Sequence, residues 1–225
     1  MLVAVALLGV VFLLARRAAA LCRRAPGAQW DSASVNCLDR LNRAFCRRFH
    51  RLDADTVALP DVGPAIVASN HLSGLDPLLM VAACNRPLRF MIAREQYDRW
   101  WLRWLFRLMR LIPVERSTNP EKALYAARRA LEAGEVVAIF PQGGIHLDTE
   151  PVRFKRGVVL LAALTGAPIC PLRIDGVAGA GKTLTAVFQR SRARVRAFAP
   201  MTCTIHTAGP TLRELERVLA PARPA

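Results

Sequence analysis

The residue pair that most directly suggests chemistry is His71 and Asp76, which stand five positions apart. The apolar run before His71 predicts a buried strand, and Pro77 predicts the first turn of a helix. A histidine that leaves a strand can present its imidazole to a pocket, and an aspartate at the next helix start can reach back to it. Such an imidazole is a general base, because the carboxylate fixes its tautomer and stabilises the imidazolium.

The same two residues also have an ordinary structural interpretation. Aspartate is a frequent helix cap, and a histidine beside it can be a structural residue with its hydrogen bonds satisfied. The spacing of His71 and Asp76 alone therefore leaves both interpretations open.

Three further segments follow the pair in a fixed order, and the set is more specific than any of its members. They are Leu-Ile-Pro-Val-Glu-Arg at 111–116, Phe-Pro-Gln-Gly-Gly at 140–144 and Ala-Pro-Ile-Cys-Pro-Leu at 167–172. With the segment around His71 they resemble the four sequence blocks of the glycerolipid acyltransferase family, typified by 1-acylglycerol-3-phosphate acyltransferases. The resemblance extends over residues 67–174.

The resemblance implies an activity, a fold and a set of site residues. It implies a sandwich of a mixed or parallel sheet flanked by helices, with His71 and Asp76 as the catalytic pair. The implied reaction moves an acyl group from acyl-CoA or acyl carrier protein, as co-substrate, to the hydroxyl of a lysolipid in phospholipid biosynthesis. The implied partners are these substrates and membrane lipids rather than nucleic acid, and no metal or other cofactor is implied. The implied substrate-binding residues are Asn70, Ser73, Arg116, Phe140, Pro141, Gln142, Gly143 and Gly144.

The third block departs from the family pattern, which usually reads Phe-Pro-Glu-Gly-Thr-Arg-Ser. Here Gln142 replaces the glutamate, Gly144 the threonine and Ile145 the arginine. Glutamine keeps hydrogen-bonding capacity but carries no charge, so it cannot pair with a cation as glutamate does. The acceptor is therefore either 1-acylglycerol-3-phosphate or a lysolipid without a phosphate, such as a glycolipid or an amino-acid lysolipid.

A nucleotide-binding interpretation comes from Gly-Val-Ala-Gly-Ala-Gly-Lys-Thr at 176–183, which matches the phosphate-loop pattern. Only 42 residues follow Thr183, and they contain no apolar strand that ends in an aspartate for magnesium. A glycine-rich surface loop is the preferred prediction.

Other classes explain less of the sequence. A metal hydrolase using His71, Asp76, His146 and Asp148 lacks paired ligand spacing, and a serine hydrolase based on Ser69 or Ser73 lacks the Gly-x-Ser-x-Gly turn. A non-enzymatic basic module that binds membranes or nucleic acid explains the charge but not the ordered blocks.

The elements that must position these residues alternate between strand and helix, which predicts an α/β fold with a largely parallel or mixed sheet. Strands are expected at 65–69, 88–93, 112–115, 135–140, 169–174, 195–198 and 201–205. Helices are expected at 34–52, 77–83, 96–110, 119–133, 157–164 and 211–219. In the helix at 96–110, tryptophans alternate with arginines, and this stripe is either core or a membrane or acyl-chain contact.

The N-terminus predicts a membrane anchor. Residues 1–15 are an apolar stretch with a single glycine, and arginines follow it. This order of charge opposes a cleaved signal peptide and favours a retained helix, spanning or half-inserted, with the body on the cytoplasmic face. The expected organisation is an anchor at 1–24, a basic amphipathic helix region at 25–56 and a catalytic domain at 57–225.

The bulk composition fits this organisation. The formal net charge is +15, from 32 Lys and Arg against 17 Asp and Glu, which indicates an acidic partner without identifying it. The arginines of the helix at 34–52 form either a solvated face or a surface for anionic lipid. Six cysteines lack paired spacing, which opposes structural zinc, and they are expected to be reduced.

Overall fold

The computed structural model describes residues 28–115, 120–147 and 153–220. The strands in these ranges are β1 (Asp53–Ala54), β2 (Ala65–Ser69), β3 (Leu88–Ala93), β4 (Ile112–Val114), β5 (Val136–Ile139), β6 (Ile169–Asp175) and β7 (Arg194–Ala197). The helices are α1 (Ala33–Arg48), α2 (Asp76–Ala83), α3 (Arg94–Tyr97), α4 (Arg103–Leu108), α5 (Pro120–Glu132), α6 (Gly157–Thr165) and α7 (Ala208–Leu219), with a 3-10 helix at Leu184–Phe188.

The strands form one mixed sheet in the order β1-β7-β6-β2-β5-β3-β4. Strands β6, β2, β5, β3 and β4 run parallel, β7 is antiparallel to β6, and β1 is parallel to β7. The α/β class and the mixed sheet expected from the sequence are confirmed. The carboxyl ends of β6, β2 and β5 are neighbours, so loops that leave these strands meet at one edge.

Helices cover both faces of the sheet, because successive side chains of its central strands alternate between two cores. Val67 of β2 packs in the core under α1 and α2. Its neighbour Ile66 packs in the second core, under α5, α6 and α7. All five residues of β2 are buried, which makes it a rigid base for the loop that follows.

The predicted helix at 96–110 is wrong, since the structure has the short helices α3 and α4 with a non-helical break between them. In a straight helix Tyr97 and Phe106 would lie nine residues and about half a turn apart, on opposite faces. Both pack against the core under α1 and α2, with their ring centroids 6.1 Å apart. The break is the geometry that lets both rings reach one core.

Two other elements differ from expectation. The strand predicted at 201–205 is wrong, because only Met201 pairs, through a single antiparallel bridge to Ile169. Thr204 and Thr207 bond to each other's backbone in the turn before α7, which removes this segment from the sheet. The sequence did not predict β1, which lies inside the proposed basic helix region and joins the sheet beside β7.

The basic helix α1 ends at Arg48, earlier than predicted, and it is not simply a solvated basic face. Arg43 is buried, and its Nε donates to Oδ2 of the buried Asp39 at 2.8 Å. Its other nitrogens donate to the carbonyls of Ala82 and Cys84, at 2.9 Å and 2.5 Å. Arg43 therefore fixes α1 to the carboxyl end of α2, where cations are favourable.

The predicted membrane anchor at 1–24 lies outside the described residues. Within the described ranges, no helix is both long and apolar enough to cross a bilayer. The expectation of reduced cysteines is confirmed at Cys46, Cys84, Cys170 and Cys203, which are free and buried. It is wrong at Cys37, which is disulfide-bonded.

Candidate active site

His71 and Asp76 form a hydrogen-bonded pair at the carboxyl end of β2. Asp76 is the first residue of α2 and is fully buried, and its Oδ2 lies 2.9 Å from His71 Nδ1. Since a carboxylate oxygen accepts hydrogen bonds, Nδ1 carries the proton and Nε2 keeps its lone pair. The pair thus has the arrangement of a general base with its orienting carboxylate.

The backbone of the turn between β2 and α2 also binds the aspartate. Oδ2 of Asp76 accepts the N–H groups of Leu72 at 2.6 Å and Ser73 at 2.8 Å, and Oδ1 accepts the Ser73 hydroxyl at 3.1 Å. The carboxylate therefore cannot rotate without breaking several bonds at once. This explains how a short turn holds His71 in one orientation.

Ser73 and Ser69 are both occupied by structural bonds. Besides its bond to Asp76, Ser73 Oγ accepts the Leu75 N–H at 3.1 Å, and its side chain is buried. Ser69 Oγ lies 3.4 Å from the side-chain oxygen of Asn70. Neither hydroxyl bonds to His71, so the geometry gives no support to the serine-hydrolase alternative.

Asn70, predicted as a substrate contact, uses its amide to connect two strands. Its Nδ2 donates to the Ile174 carbonyl and its Oδ1 accepts the Ile174 N–H, both at 2.8 Å. The side chain is fully buried. Asn70 therefore fixes the exit of β2 against β6, and a direct contact with substrate stays a prediction.

The third block wraps around His71 from the neighbouring strand β5. The Phe140 ring stacks on the imidazole with centroids 3.9 Å apart and planes inclined by 14°. Gln142 Oε1 accepts the His71 N–H at 2.6 Å, and the His146 N–H donates to the His71 carbonyl at 2.9 Å. The side chain of His71 is 16% exposed, so it is accessible while its backbone is held on both sides.

Pro141, Gly143 and Gly144 form the turn of this block, and Lys155 lies across it. Gly143 has φ +79° and donates its N–H to the Phe140 carbonyl at 2.9 Å. A Cβ on Gly143 would lie 2.5 Å from both Cε and Nζ of Lys155. The left-handed φ of Gly143 favours glycine here, and the ammonium of Lys155 lies over this turn of the third block.

The glycine-rich segment at 176–183 packs on the catalytic turn, a role that sequence reasoning missed. Gly181 donates its N–H to the Leu72 carbonyl at 2.8 Å, and Gly74 donates to the Lys182 carbonyl at 3.0 Å. A short 3-10 helix follows the segment instead of the α-helix of a phosphate loop. One signal was available in the sequence, since Gly74 lies in the catalytic turn and a glycine allows another backbone to approach closely.

Arg116, the predicted phosphate ligand of the second block, lies outside the described residues, as does Asp148. In the part of the chain that the structure describes, no three His, Cys, Asp or Glu side chains are grouped to hold a metal ion. A cavity of about 190 Å³ lies near Pro87, Met109 and Val136. Because it adjoins the amino end of β5, it is at the opposite edge of the sheet from His71.

The chain is similar to several known proteins. A family model described as Acyltransferase matches residues 53–175. A probable 1-acyl-sn-glycerol-3-phosphate acyltransferase of Mycoplasma pneumoniae is 32% identical over 124 residues, which cover 51% of this chain and 45% of that protein. The 1-acyl-sn-glycerol-3-phosphate acyltransferase of Bacillus subtilis is 27% identical over 119 residues, which cover 52% of this chain and 59% of that protein.

The match thus spans about half the length of these relatives. The fold is also similar to the crystal structure of the 1-acyl-sn-glycerophosphate (LPA) acyltransferase PlsC from Thermotoga maritima. The TM-score is 0.64 at 20% identity, over 83% of this chain and 78% of that chain. At this identity the likeness concerns the fold.

Proposed function

The chain belongs to the Acyltransferase family, and on that premise we propose that it transfers an acyl group from acyl-CoA or acyl carrier protein to the hydroxyl of a lysolipid. The observation that carries the proposal is the 2.9 Å contact between His71 Nδ1 and Asp76 Oδ2, which leaves Nε2 as a base. The relatives' names support 1-acylglycerol-3-phosphate as the acceptor. Such a substrate is a membrane lipid, and the predicted anchor would keep the enzyme at the cytoplasmic face of the membrane.

The proposed reaction needs only one proton carrier. His71 Nε2 takes the proton of the acceptor hydroxyl, whose oxygen forms a bond to the thioester carbonyl carbon. When the tetrahedral intermediate collapses, the carbon–sulfur bond breaks and the thiolate takes the proton back from Nε2. The products are an ester and a free thiol, so no acyl-enzyme forms.

Donors for the negative oxygen of the intermediate are available beside the base. Gln142 uses Oε1 for the His71 N–H, and its amide nitrogen donates to no group in residues 28–115, 120–147 and 153–220. Together with backbone N–H groups of the glycine turn, this nitrogen is a candidate oxyanion donor.

The position and charge of Lys155 favour an acceptor with an acidic head group. Its ammonium crosses the Gly143 turn, and no carboxylate among the described residues forms an ion pair with it. It also precedes α6, whose first turn has no acidic residue, so the positive end of the helix adds to the local field. A phosphate at this position would gain charge-assisted hydrogen bonds.

A second acceptor class is favoured by Gln142 and Ile145, which replace the glutamate and arginine of the family pattern. A site with fewer charges in its third block suits a neutral head group, such as that of a glycolipid. This alternative uses the same base and the same acyl donors, and it differs only in what the head group contacts.

The test of acyl transfer uses labelled acyl-CoA and labelled acyl carrier protein with 1-acylglycerol-3-phosphate in mixed micelles. His71→Ala and His71→Gln should lower kcat by about 10²–10⁴-fold, the usual contribution of a general base. The matched control is His206→Gln, since His206 is exposed on the surface. Transfer by either His71 variant at the parent rate, with its fold intact by circular dichroism, rejects His71 as the base.

The test of the acceptor offers a panel of phosphorylated and neutral lysolipids to the parent protein and to Lys155→Gln. If Lys155 holds a phosphate, the variant should raise the KM of the phosphorylated acceptor by about 10–10²-fold with little change in kcat. Arg213→Gln, an exposed cation on α7, is the control. Exclusive use of phosphorylated acceptors rejects the second class, and exclusive use of neutral ones rejects the first.

A further inference from the structure

Four large apolar side chains lie exposed on one short segment between β3 and β4. We call them the tryptophan patch: Trp100, Trp101, Trp104 and Leu108, which are 86%, 42%, 60% and 41% exposed. Tryptophan is usually well buried, and adjacent exposed apolar side chains commonly mark a site of interaction.

The break between α3 and α4 produces this exposure. Trp100 and Trp101 lie in the break itself, while Tyr97 and Phe106 on either side of it turn into the core. The segment is therefore attached to the fold by two aromatic side chains and presents the tryptophan patch outward.

Unneutralised positive charge surrounds the patch. No Asp or Glu occurs at 99–114, whereas four arginines do, at 99, 103, 107 and 110. Arg110 pairs with Asp31 and Glu135. No ion pair in the described residues involves Arg99, Arg103 or Arg107, and the last two are exposed.

We propose that the tryptophan patch docks on the surface of a bilayer that contains anionic lipid. Tryptophan favours the interface between head groups and acyl chains, and arginines beside it attract anionic head groups. The proposal rests on the proposed function in one respect, which is that the acyl acceptor resides in the bilayer. It differs from the predicted anchor, because it concerns the folded body of the protein.

The position of the patch relates it to the candidate active site. Strand β3 ends at the same edge of the sheet as β2 and β5, and α3 begins there at Arg94, which lies 3.8 Å from Glu115 beyond β4. Phe106 packs in the same core as Phe140, whose ring stacks on His71. The segment that carries the patch therefore begins at the catalytic edge of the sheet and, because β4 is parallel to β3, crosses to the opposite edge before Ile112.

A second copy of the chain is the rival occupant. In a two-fold dimer the patch would face itself, and the arginines around it would face the same arginines. Like charges at such short range oppose association. An anionic bilayer supplies the opposite charge, so the charge pattern favours lipid.

The direct test uses tryptophan fluorescence in the full chain. The chain has four tryptophans, and a Trp30→Phe background leaves only those of the patch. The protein is bound to phosphatidylglycerol-containing vesicles with or without lipids brominated near the carbonyl end of the acyl chains. We expect brominated lipid to quench most of the emission and the emission maximum to shift to the blue. Emission that stays unquenched while the protein co-floats with the vesicles overturns the proposal, and emission that changes only with protein concentration assigns the patch to a second copy.

The functional test compares vesicle-embedded acceptor with a short-chain acceptor in detergent. Arg99, Arg103 and Arg107, all changed to Gln, should lower transfer on vesicles by about 10²-fold at low salt, since each basic residue near an anionic surface contributes about one kcal/mol. Transfer in detergent should change far less. Tyr125→Ser and Arg213→Gln, exposed on other helices, are the controls. Equal losses in both assays overturn the proposal, whereas absence of transfer by the parent protein rejects the proposed function and leaves the quenching result standing.

Discussion

Gly74 donates its backbone N–H to the carbonyl oxygen of Lys182 at 3.0 Å, and it has no room for a side chain. A Cβ at this position would lie 2.5 Å from the carbonyl oxygen of Thr183. The turn that holds His71 and Asp76 is thus in direct backbone contact with a segment more than 100 residues further along the chain. The catalytic turn is fixed by the sheet on one side and by this segment on the other.

Gly74→Ala should therefore lower activity without abolishing the fold. The added methyl must displace the backbone at Thr183, and overpacking of this kind costs about 1–3 kcal/mol. We expect a fall in kcat and a melting temperature lowered by roughly 2–4 °C per kcal/mol. Gly209→Ala in α7 is the control, since its methyl would have nothing nearer than 3.7 Å. An unchanged kcat for Gly74→Ala contradicts the role given to this contact.

The chemistry of the site was more predictable from the sequence than its supports. His71, Asp76 and the third block are adjacent in sequence to strands with a strong apolar pattern, so their meeting at one edge follows from the parallel sheet. The contacts made by Gly181 and Lys182 join backbone groups far apart in the chain, and no local pattern encodes such pairs. The sequence preferred a glycine-rich surface loop at 176–183, and most of that segment is exposed, but the sequence did not predict which turn the loop contacts.

The predictions of the fold that were wrong, at 96–110 and 201–205, have a similar origin. The spacing of apolar residues over 96–110 is compatible with one helix. It contains no information that Tyr97 and Phe106 pack against the same core. Met201 pairs with the sheet, while Thr204 and Thr207 form a local turn that competes with strand pairing. At 96–110 tertiary packing overrides the local sequence pattern, and at 201–205 hydrogen bonds from side chains to the backbone do so.

Gln142 should tolerate glutamate better than methionine. Its Oε1 accepts the His71 N–H at 2.6 Å, and glutamate keeps an oxygen there, whereas methionine removes the acceptor. An unsatisfied N–H costs about 1–3 kcal/mol. We expect Gln142→Met to lose both stability and kcat, and Gln142→Glu to keep its melting temperature while its preference among acceptors changes. Equal melting temperatures for the two variants would show that this bond does not support His71.

His50 should make stability depend on pH. The imidazole is buried against Phe45 and Phe49, its Nε2 lies 3.1 Å from the Val187 carbonyl, and burial lowers its pKa despite that hydrogen bond. Below the ordinary histidine pKa of about 6.5, His50 binds a proton in the unfolded chain, whereas burial disfavours its protonation in the folded chain. The stability contributed by neutral His50 is therefore fully present above that pH and is lost as the pH falls.

The measurement compares melting temperatures of the parent protein and His50→Gln from about pH 7.5 to about pH 5, across the ordinary histidine pKa. The parent should lose more stability over this range than the variant does. His206→Gln, which changes an exposed histidine, should follow the parent curve. Parallel curves for the parent and His50→Gln would contradict the burial argument.

Arg43 should behave as a buried structural cation rather than as part of a basic surface. Removal of its guanidinium leaves the Asp39 carboxylate buried without its cation and frees the Ala82 and Cys84 carbonyls, so Arg43→Met should cost about 3–5 kcal/mol. Arg47→Met, on an exposed position of the same helix, should change stability by less than about 0.5 kcal/mol. The double variant Arg43→Met with Asp39→Leu removes both charges, and it should be less destabilised than Arg43→Met alone because no uncompensated carboxylate is left. Denaturant unfolding of the parent, Arg43→Met, Asp39→Leu and the double variant measures this coupling, and strictly additive losses would mean that the two side chains do not act as a pair.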